Sequence, residues 1–188
     1  MTARGSRWAK EDWLQFGADM LRKYGPPAMT VEGLCASAKR TKGSFYHHFG
    51  TIDGFLLALA KAWRKTQTDD IAESVAADTT PEARLATLVR LTNVIDHDLE
   101  AGVRALGVSH AAILDVVRAA DERRETFLAS LLDDAYELGP EDAVSLARLY
   151  HALHVVAQAR APGAIGDFSA GPTALLRRLA ADLKAART

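Results

Sequence analysis

The stretch TKGSFYHHF at residues 41–49 places two histidines beside three aromatic side chains, which raises the possibility of a metal or catalytic site. His47 and His48 are adjacent, and adjacent positions on a helix point about 100° apart. Histidines that share a metal from one helix stand about four residues apart, as in the HExxH motif. The spacing therefore argues against a metal site, and neither a metal nor a cofactor is expected.

A second pair of histidines, His151 and His154, lies three residues apart in an otherwise apolar segment. They either contact a ligand, or bind a metal together with His97 or His110, or are partly buried and hydrogen-bonded. The last interpretation is favoured, because no motif has the spacing of metal ligands. The sequence also lacks a nucleophile motif and a phosphate-binding glycine loop, so it does not predict an enzyme.

The composition indicates an all-α protein with a substantial core. The chain has 188 residues, of which 48% are hydrophobic, and good helix formers such as Ala, Leu, Arg and Glu dominate it. We expect neither a membrane span nor a signal peptide. Cys35 is the only cysteine, which excludes an internal disulfide and predicts a cytoplasmic protein.

The charge is unevenly distributed along the chain. Residues 1–50 contain eight Lys or Arg and four Asp or Glu, a net charge of +4, whereas residues 51–188 have a net charge of −5. A basic segment attached to an acidic one suggests that the basic part meets a polyanion. The alternative is a chance scatter of surface charge.

The apolar spacing predicts three short helices within residues 1–50. The first runs from about Lys10 to Tyr24, Thr30 caps the second, and Thr41 caps a third that ends at Phe49. A turn of three or four residues separates the last two, which is the outline of a helix-turn-helix. The exposed face of the third helix has the small and hydrogen-bonding residues that suit a DNA major groove. We therefore predict a DNA-binding domain at residues 1–50.

Long helices are predicted for the remaining residues, 51–188. Proline and glycine mark most of their ends. The expected helices are 51–77, 81–102, 102–108, 111–138 and 140–160, followed by a loop at 161–171 and a last helix from Pro172 to about Ala186.

The segment from Met29 to Trp63 resembles the tetracycline-repressor (TetR) family of bacterial transcriptional regulators. Six residues match the family's recognition-helix pattern position by position: Lys42, Gly43, Ser44, Tyr46, His48 and Phe49. The resemblance is strong over about residues 8–65, and beyond them only the helical order resembles the family. The chain departs from the pattern at Lys39 and Arg40 in the turn, where the family has small apolar residues, and at Ile52, where a basic residue is common.

The resemblance implies a homodimer that binds a palindromic operator and acts as a ligand-responsive regulator, a repressor released by a small molecule. The residues of the predicted cavity wall indicate that this molecule is mostly apolar. The family dimerises through its last two long helices, which here are residues 141–160 and 172–186; the alternative is that both are buried within one subunit. The departures leave one rival, a small-molecule-binding protein with weakened or lost DNA binding. A second rival, independent of the departures, is an enzyme working in the helical cavity. The candidate DNA contacts are Thr30, Lys39, Arg40, Thr41, Lys42, Gly43, Ser44, Tyr46, His47 and His48.

An apolar stripe in the 81–102 segment, together with facing residues of the next long helix, predicts the wall of a ligand cavity. The few polar residues near it are candidate anchors for the ligand, although each of them has a structural role as its alternative. The candidate ligand-binding residues are Thr92, Ile95, Asp96, Leu99, Arg104, His110, Val117, Phe127, His151 and His154.

Overall fold

The computed structural model describes residues 8–160 and 165–186. The all-α prediction is confirmed, since these residues form helices and their connections and contain no strand. The helices are α1 (Lys10–Tyr24), α2 (Val31–Ala38), α3 (Lys42–Phe49), α4 (Ile52–Arg64), α5 (Asp70–Ala76), α6 (Pro81–Thr92), α7 (His97–Ser109), α8 (Ala111–Tyr136), α9 (Pro140–Arg160) and α10 (Ile165–Ala185).

Threonine caps begin the short helices of the N-terminal region, as the sequence predicts. The Gly33 N–H donates to Thr30 Oγ1 over 3.0 Å, and the Ser44 N–H donates to Thr41 Oγ1 over 3.2 Å. Each bond satisfies one of the free N–H groups in the first helical turn. Lys39 ends α2 in the left-handed conformation, with φ of 52°. A residue in this conformation turns the chain out of α2. Helix α3 then begins at Lys42, three residues after Lys39.

Two compact units account for the described residues: 8–63 with 98–117, and 64–97 with 118–160 and 165–186. In the first unit, aromatic rings form the core around Phe45, whose centroid lies 5.4 Å from that of Trp13 and 5.2 Å from that of Phe55. Helix α7 also belongs to this unit, and a Cβ added at Gly102 would lie 2.6 Å from Leu21 Cγ. The unit therefore continues past residue 50, where the DNA-binding domain was predicted to end.

The second unit has a core at the meeting of α8, α9 and α10. Its buried members are Ala129, Leu132, Leu138, Ala143, Leu146, Ala147 and Ala180. Gly139, with φ of 74°, makes the turn between α8 and α9, and its N–H donates to Asp133 Oδ1 over 2.7 Å.

The predicted long fourth helix corresponds to α4, a π-helical turn at Lys65–Asp69, and α5. The predicted helix from 81 to 102 is wrong, because α6 ends at Thr92 and α7 spans His97–Ser109. Weak helix formers fill the gap, including the β-branched Val94. Asp96 then precedes α7 at a position that favours aspartate.

The last helix begins earlier than predicted. Of the expected loop at 161–171, residues 161–164 lie outside the described residues, whereas 165–171 are helical. Pro172 lies inside α10, where it removes one backbone hydrogen bond. A proline also crowds the Cβ of the residue before it, and Gly171 has no Cβ, which makes the helical path through this position less costly.

Candidate nucleic-acid interface and internal cavity

Helix α3 is anchored by one side chain and leaves the opposite face open. Phe45 is fully buried, whereas its neighbour Tyr46 is 46% exposed. Lys42, Gly43 and His47 are exposed as well. Because apolar packing holds only the Phe45 side, the polar face is free to meet a partner.

Gly43 is not required by the packing of α3. A Cβ added there would meet only Thr41 Oγ1, at 3.9 Å, and the residue is exposed in a helix, where glycine is costly relative to alanine by about 1 kcal/mol. An outside partner that approaches the backbone closely gives a reason for glycine at this position.

Lys42 forms an ion pair with Glu32, which joins α3 to α2. The hydrogen bond and charge of Lys42 lower the pKa of the Glu32 carboxyl, and the same pair raises the pKa of Lys42. Both side chains are largely exposed, so the pair contributes little to stability. Its effect is instead to place a carboxylate beside a cation on the open face.

The other residues predicted to contact DNA divide into exposed and structural positions. Lys39 and Thr41 are exposed. The Arg40 guanidinium lies 5.1 Å from the Trp8 ring centroid as a cation–π contact. His48 Nε2 donates to the Trp8 carbonyl oxygen over 3.0 Å and so ties α3 to the segment before α1. Thr30, also exposed, serves as the cap of α2.

A cavity of about 750 Å³ lies within the second unit. Its size falls in the range of small-molecule sites. Five of the candidate ligand-binding residues line it: Thr92, Ile95, Phe127, His151 and His154. Asp96 belongs to the same unit but does not line the cavity, and the remaining candidates lie in the first unit: Leu99, Arg104, His110 and Val117.

Two of the candidate ligand-binding residues in the first unit, Arg104 and His110, have charged partners within that unit. Arg104 donates to Oε1 of Glu100, which is fully buried, through Nε over 3.1 Å and a terminal nitrogen over 2.8 Å. His110 Nδ1 lies 3.6 Å from Asp53 Oδ1. Arg104 therefore supports the core of its own unit rather than the cavity.

Polar residues that the sequence analysis missed occur at two places on the cavity wall. Arg124 Nε donates to Thr68 Oγ1 over 3.0 Å, and a terminal nitrogen of the same guanidinium donates to the Gln67 carbonyl oxygen over 3.1 Å. Elsewhere, Tyr150 donates to the Thr173 carbonyl oxygen over 3.1 Å. Burial raises the pKa of the Tyr150 hydroxyl, which therefore stays a neutral donor. The sequence signal that could have found Arg124 and Tyr150 is their position on long helices with apolar stripes, α8 and α9.

Among the described residues there is no group of three or more His, Cys, Asp or Glu side chains that could hold a metal ion. His97 Nδ1 instead lies 3.1 Å from Gln158 Nε2, and its ring centroid is 5.8 Å from that of His154. In the same part of the chain, no helix is long and apolar enough to cross a membrane.

An exposed apolar strip follows α9 and α10 in the second unit. Its members are the large apolar side chains that are exposed on these two helices: Val144, Leu149, Val156, Leu175 and Leu179. Large exposed apolar patches mark interaction sites, so this strip is a candidate contact with another molecule.

Residues 14–59 match the family model described as "Bacterial regulatory proteins, tetR family". The chain matches none of the curated proteins with which it was compared.

Several solved structures have the same fold along nearly the whole chain. A TetR transcriptional regulator from Legionella pneumophila is 14% identical with a TM-score of 0.74, covering 93% of this chain and 98% of its own. A TetR transcription regulator from Haloarcula marismortui is 21% identical with a TM-score of 0.73, covering 94% and 96%. The ketosteroid transcriptional regulator KstR2 of Mycobacterium tuberculosis is 19% identical with a TM-score of 0.65, covering 92% and 93%.

The matched segment contains the helix-turn-helix of α2 and α3, together with the buried Phe45 and the exposed Tyr46 described above. Through this segment the chain contains a DNA-binding domain of the kind found in the TetR family of bacterial regulatory proteins, and its fold along nearly the whole chain is similar to that of solved TetR regulators.

Proposed function

We propose that this DNA-binding regulator acts as a homodimeric repressor that binds a palindromic operator and is released by a small, mostly apolar molecule. The observation that carries the proposal is the open polar face of α3, with Tyr46 and His47 exposed beside Gly43. A short helix with such a face can read base edges in the major groove. Thr41, Lys42 and Ser44 supply further polar groups, and Lys39 and Arg40 supply charge near the turn.

The cavity supports the ligand response. Among proteins of this fold, KstR2 is a ketosteroid regulator, and a regulator from Saccharomonospora viridis has been solved in complex with choline, at 15% identity and a TM-score of 0.71. We infer that the present cavity likewise holds an organic effector. Binding would favour a conformation of the homodimer whose two DNA-binding domains no longer fit successive major grooves, about 34–36 Å apart.

The test of the whole proposal is selection of DNA fragments from a random pool by the purified protein. An enriched palindrome supports a dimeric DNA-binding regulator. The absence of any enriched sequence would favour the rival function, a helical small-molecule-binding protein that has lost DNA binding. The proposal contains no catalytic step, and we place the protein in the cytoplasm, where its DNA lies.

Glu32 is expected to weaken DNA binding by competing for Lys42. Because the carboxylate pairs with the lysine in the free protein and would repel a nearby phosphate, Glu32→Gln should raise operator affinity about two- to tenfold at low salt. Lys42→Ala should lower the salt slope of binding by about one unit if Lys42 neutralises one phosphate. Fluorescence anisotropy at several salt concentrations measures both effects.

The matched control is Glu122→Gln, which removes an exposed carboxylate from α8 in the other unit. Equal affinities for Glu32→Gln and wild type at every salt concentration would show that Glu32 does not compete with DNA for Lys42.

The exposed apolar strip is expected to form the two-fold contact of the homodimer. Leu149→Arg or Leu179→Arg should convert a dimer at micromolar concentration into a folded monomer, because a charge would be buried without a partner. Sedimentation measures the mass, and circular dichroism confirms folding. Leu153→Arg is a less specific probe, because Leu153 lines the cavity. Val108→Arg is the control, since Val108 is 86% exposed on α7. Dimers in all variants would place the contact elsewhere.

A further inference from the structure

Gln67 is a buried residue on the cavity wall whose side-chain carbonyl oxygen has no hydrogen-bond partner within the described structure. The residue is 9% exposed. A buried polar group without a partner is costly, and native proteins retain few of them. A ligand that completes the hydrogen bonding of this amide explains why glutamine stands here.

The terminal amide of glutamine can turn over, so either its oxygen or its NH₂ group can face the ligand. A ligand group that both donates and accepts a hydrogen bond fits either orientation. A hydroxyl group is the simplest of this kind. A carboxylate only accepts, and an ammonium group only donates.

The charge of Arg124 on the cavity wall already has a counter-ion in Asp121. Asp121 Oδ1 lies 3.1 Å from His151 Nε2 and 3.9 Å from a terminal nitrogen of Arg124. Arg124 also donates to Thr68 Oγ1 and to the Gln67 carbonyl oxygen. A charged ligand brought here would therefore lose its hydration without gaining an uncommitted counter-ion, which is unfavourable.

The remaining wall suits an apolar body. Much of the cavity is lined by aliphatic and aromatic side chains, among them Leu85, Leu88, Phe127 and Leu153. Arg123 and Arg177 line the cavity too, but both are exposed, and the Arg123 guanidinium lies 5.8 Å from the centroid of the Phe127 ring. Because the side chains of these two arginines are exposed to water, their charges do not require a negatively charged group on the ligand.

We propose that the effector is an uncharged, mostly apolar molecule with a hydroxyl group, and that this hydroxyl binds the Gln67 carboxamide. The inference rests on the proposed function, because it names the chemical class of the effector for the same cavity. Gln67 lies in the π-helical turn Lys65–Asp69, which continues directly from α4 along the chain. Single π turns within helices occur often at functional sites. A ligand held here touches the segment that leads back to α3.

The probes are three molecules that each have a ten-carbon chain and differ in the polar group at its end: 1-decanol, decanoate and decylammonium. Titration calorimetry at mildly alkaline pH gives the dissociation constant of each with the full-length protein. We expect 1-decanol to bind at least tenfold more tightly than either ion. Tighter binding of decanoate or decylammonium, or binding of none of the three, would overturn the inference.

The variant that tests the residue is Gln67→Met, which keeps an unbranched side chain of similar length and removes the amide. We expect its dissociation constant for 1-decanol to rise about tenfold, which corresponds to about 1.4 kcal/mol, with no loss of thermal stability. Gln15→Met on α1 is the control, because Gln15 is an exposed glutamine in the other unit. An unchanged constant in Gln67→Met would contradict the assignment of the hydroxyl to Gln67.

A DNA-binding readout separates this inference from the proposed function. If 1-decanol binds through Gln67 but leaves binding to a selected DNA fragment unchanged, the ligand class stands and the ligand-responsive repressor does not. If an ion binds more tightly and releases the DNA, the repressor stands and the ligand class is wrong.

Discussion

Phe45→Ala is expected to lower the free energy of unfolding of the first unit by about 3–5 kcal/mol, the usual cost of truncating a fully buried aromatic ring. Phe45 is 0% exposed, and its ring meets those of Trp13, Phe49 and Phe55 at centroid distances of 5.2–5.4 Å. Urea denaturation followed by tryptophan fluorescence measures the change, because Trp13 is one of the neighbours.

The adjacent residue provides the matched comparison. Tyr46 is 46% exposed, so Tyr46→Ala should change stability by no more than about 0.5 kcal/mol. If Tyr46 contacts the operator, the same variant should lose about tenfold or more in DNA affinity, within the range of one good base contact. His47→Ala should behave similarly. A Tyr46→Ala variant that keeps wild-type affinity while Phe45→Ala keeps wild-type stability would show that α3 is oriented differently from the structure.

The N-terminal helices were predictable because their signals are local. Thr30 and Thr41 accept hydrogen bonds from the backbone three residues ahead, so the residues that define each helix start are neighbours in the sequence. Phe45 and Phe49 stand four residues apart, a spacing that predicts both on the same, packed side of α3. Lys39 shows the limit of this approach, since a left-handed lysine has no distinctive sequence signal.

The cavity was only partly predictable, because its wall is assembled from distant segments. Thr92, Ile95 and Phe127 were found from their positions on apolar stripes, and all three line the cavity. The sequence does not predict Gln67 as a cavity residue, because a polar residue in a polar stretch indicates solvent exposure. Its carbonyl oxygen meets Arg124, 57 residues later, and only the tertiary fold shows that contact.

The ion pair within α7 shows the same limit more strongly. The sequence predicts Arg104 as a candidate ligand anchor and gives no role to Glu100, because acidic residues are rarely fully buried. In the structure Glu100 is 0% exposed and accepts two bonds from Arg104. Periodicity assigns a charged residue to the surface, so it cannot distinguish a buried carboxylate from a solvated one.

Arg104→Met is therefore expected to destabilise the first unit by about 3 kcal/mol, because the buried Glu100 carboxylate would lose the positive charge that pairs with it. The double variant Glu100→Leu with Arg104→Met should recover most of this loss, since a buried ion pair replaced by apolar side chains of similar volume is often neutral. Chemical denaturation of both variants measures the difference. Arg118→Met serves as the control, because Arg118 is exposed. If Arg104→Met were as stable as Arg118→Met, the buried carboxylate would be held by other groups, and Arg104 would be open to a different role. Ligand affinity should be unchanged in Arg104→Met, because the cavity lies in the other unit and Arg104 does not line it.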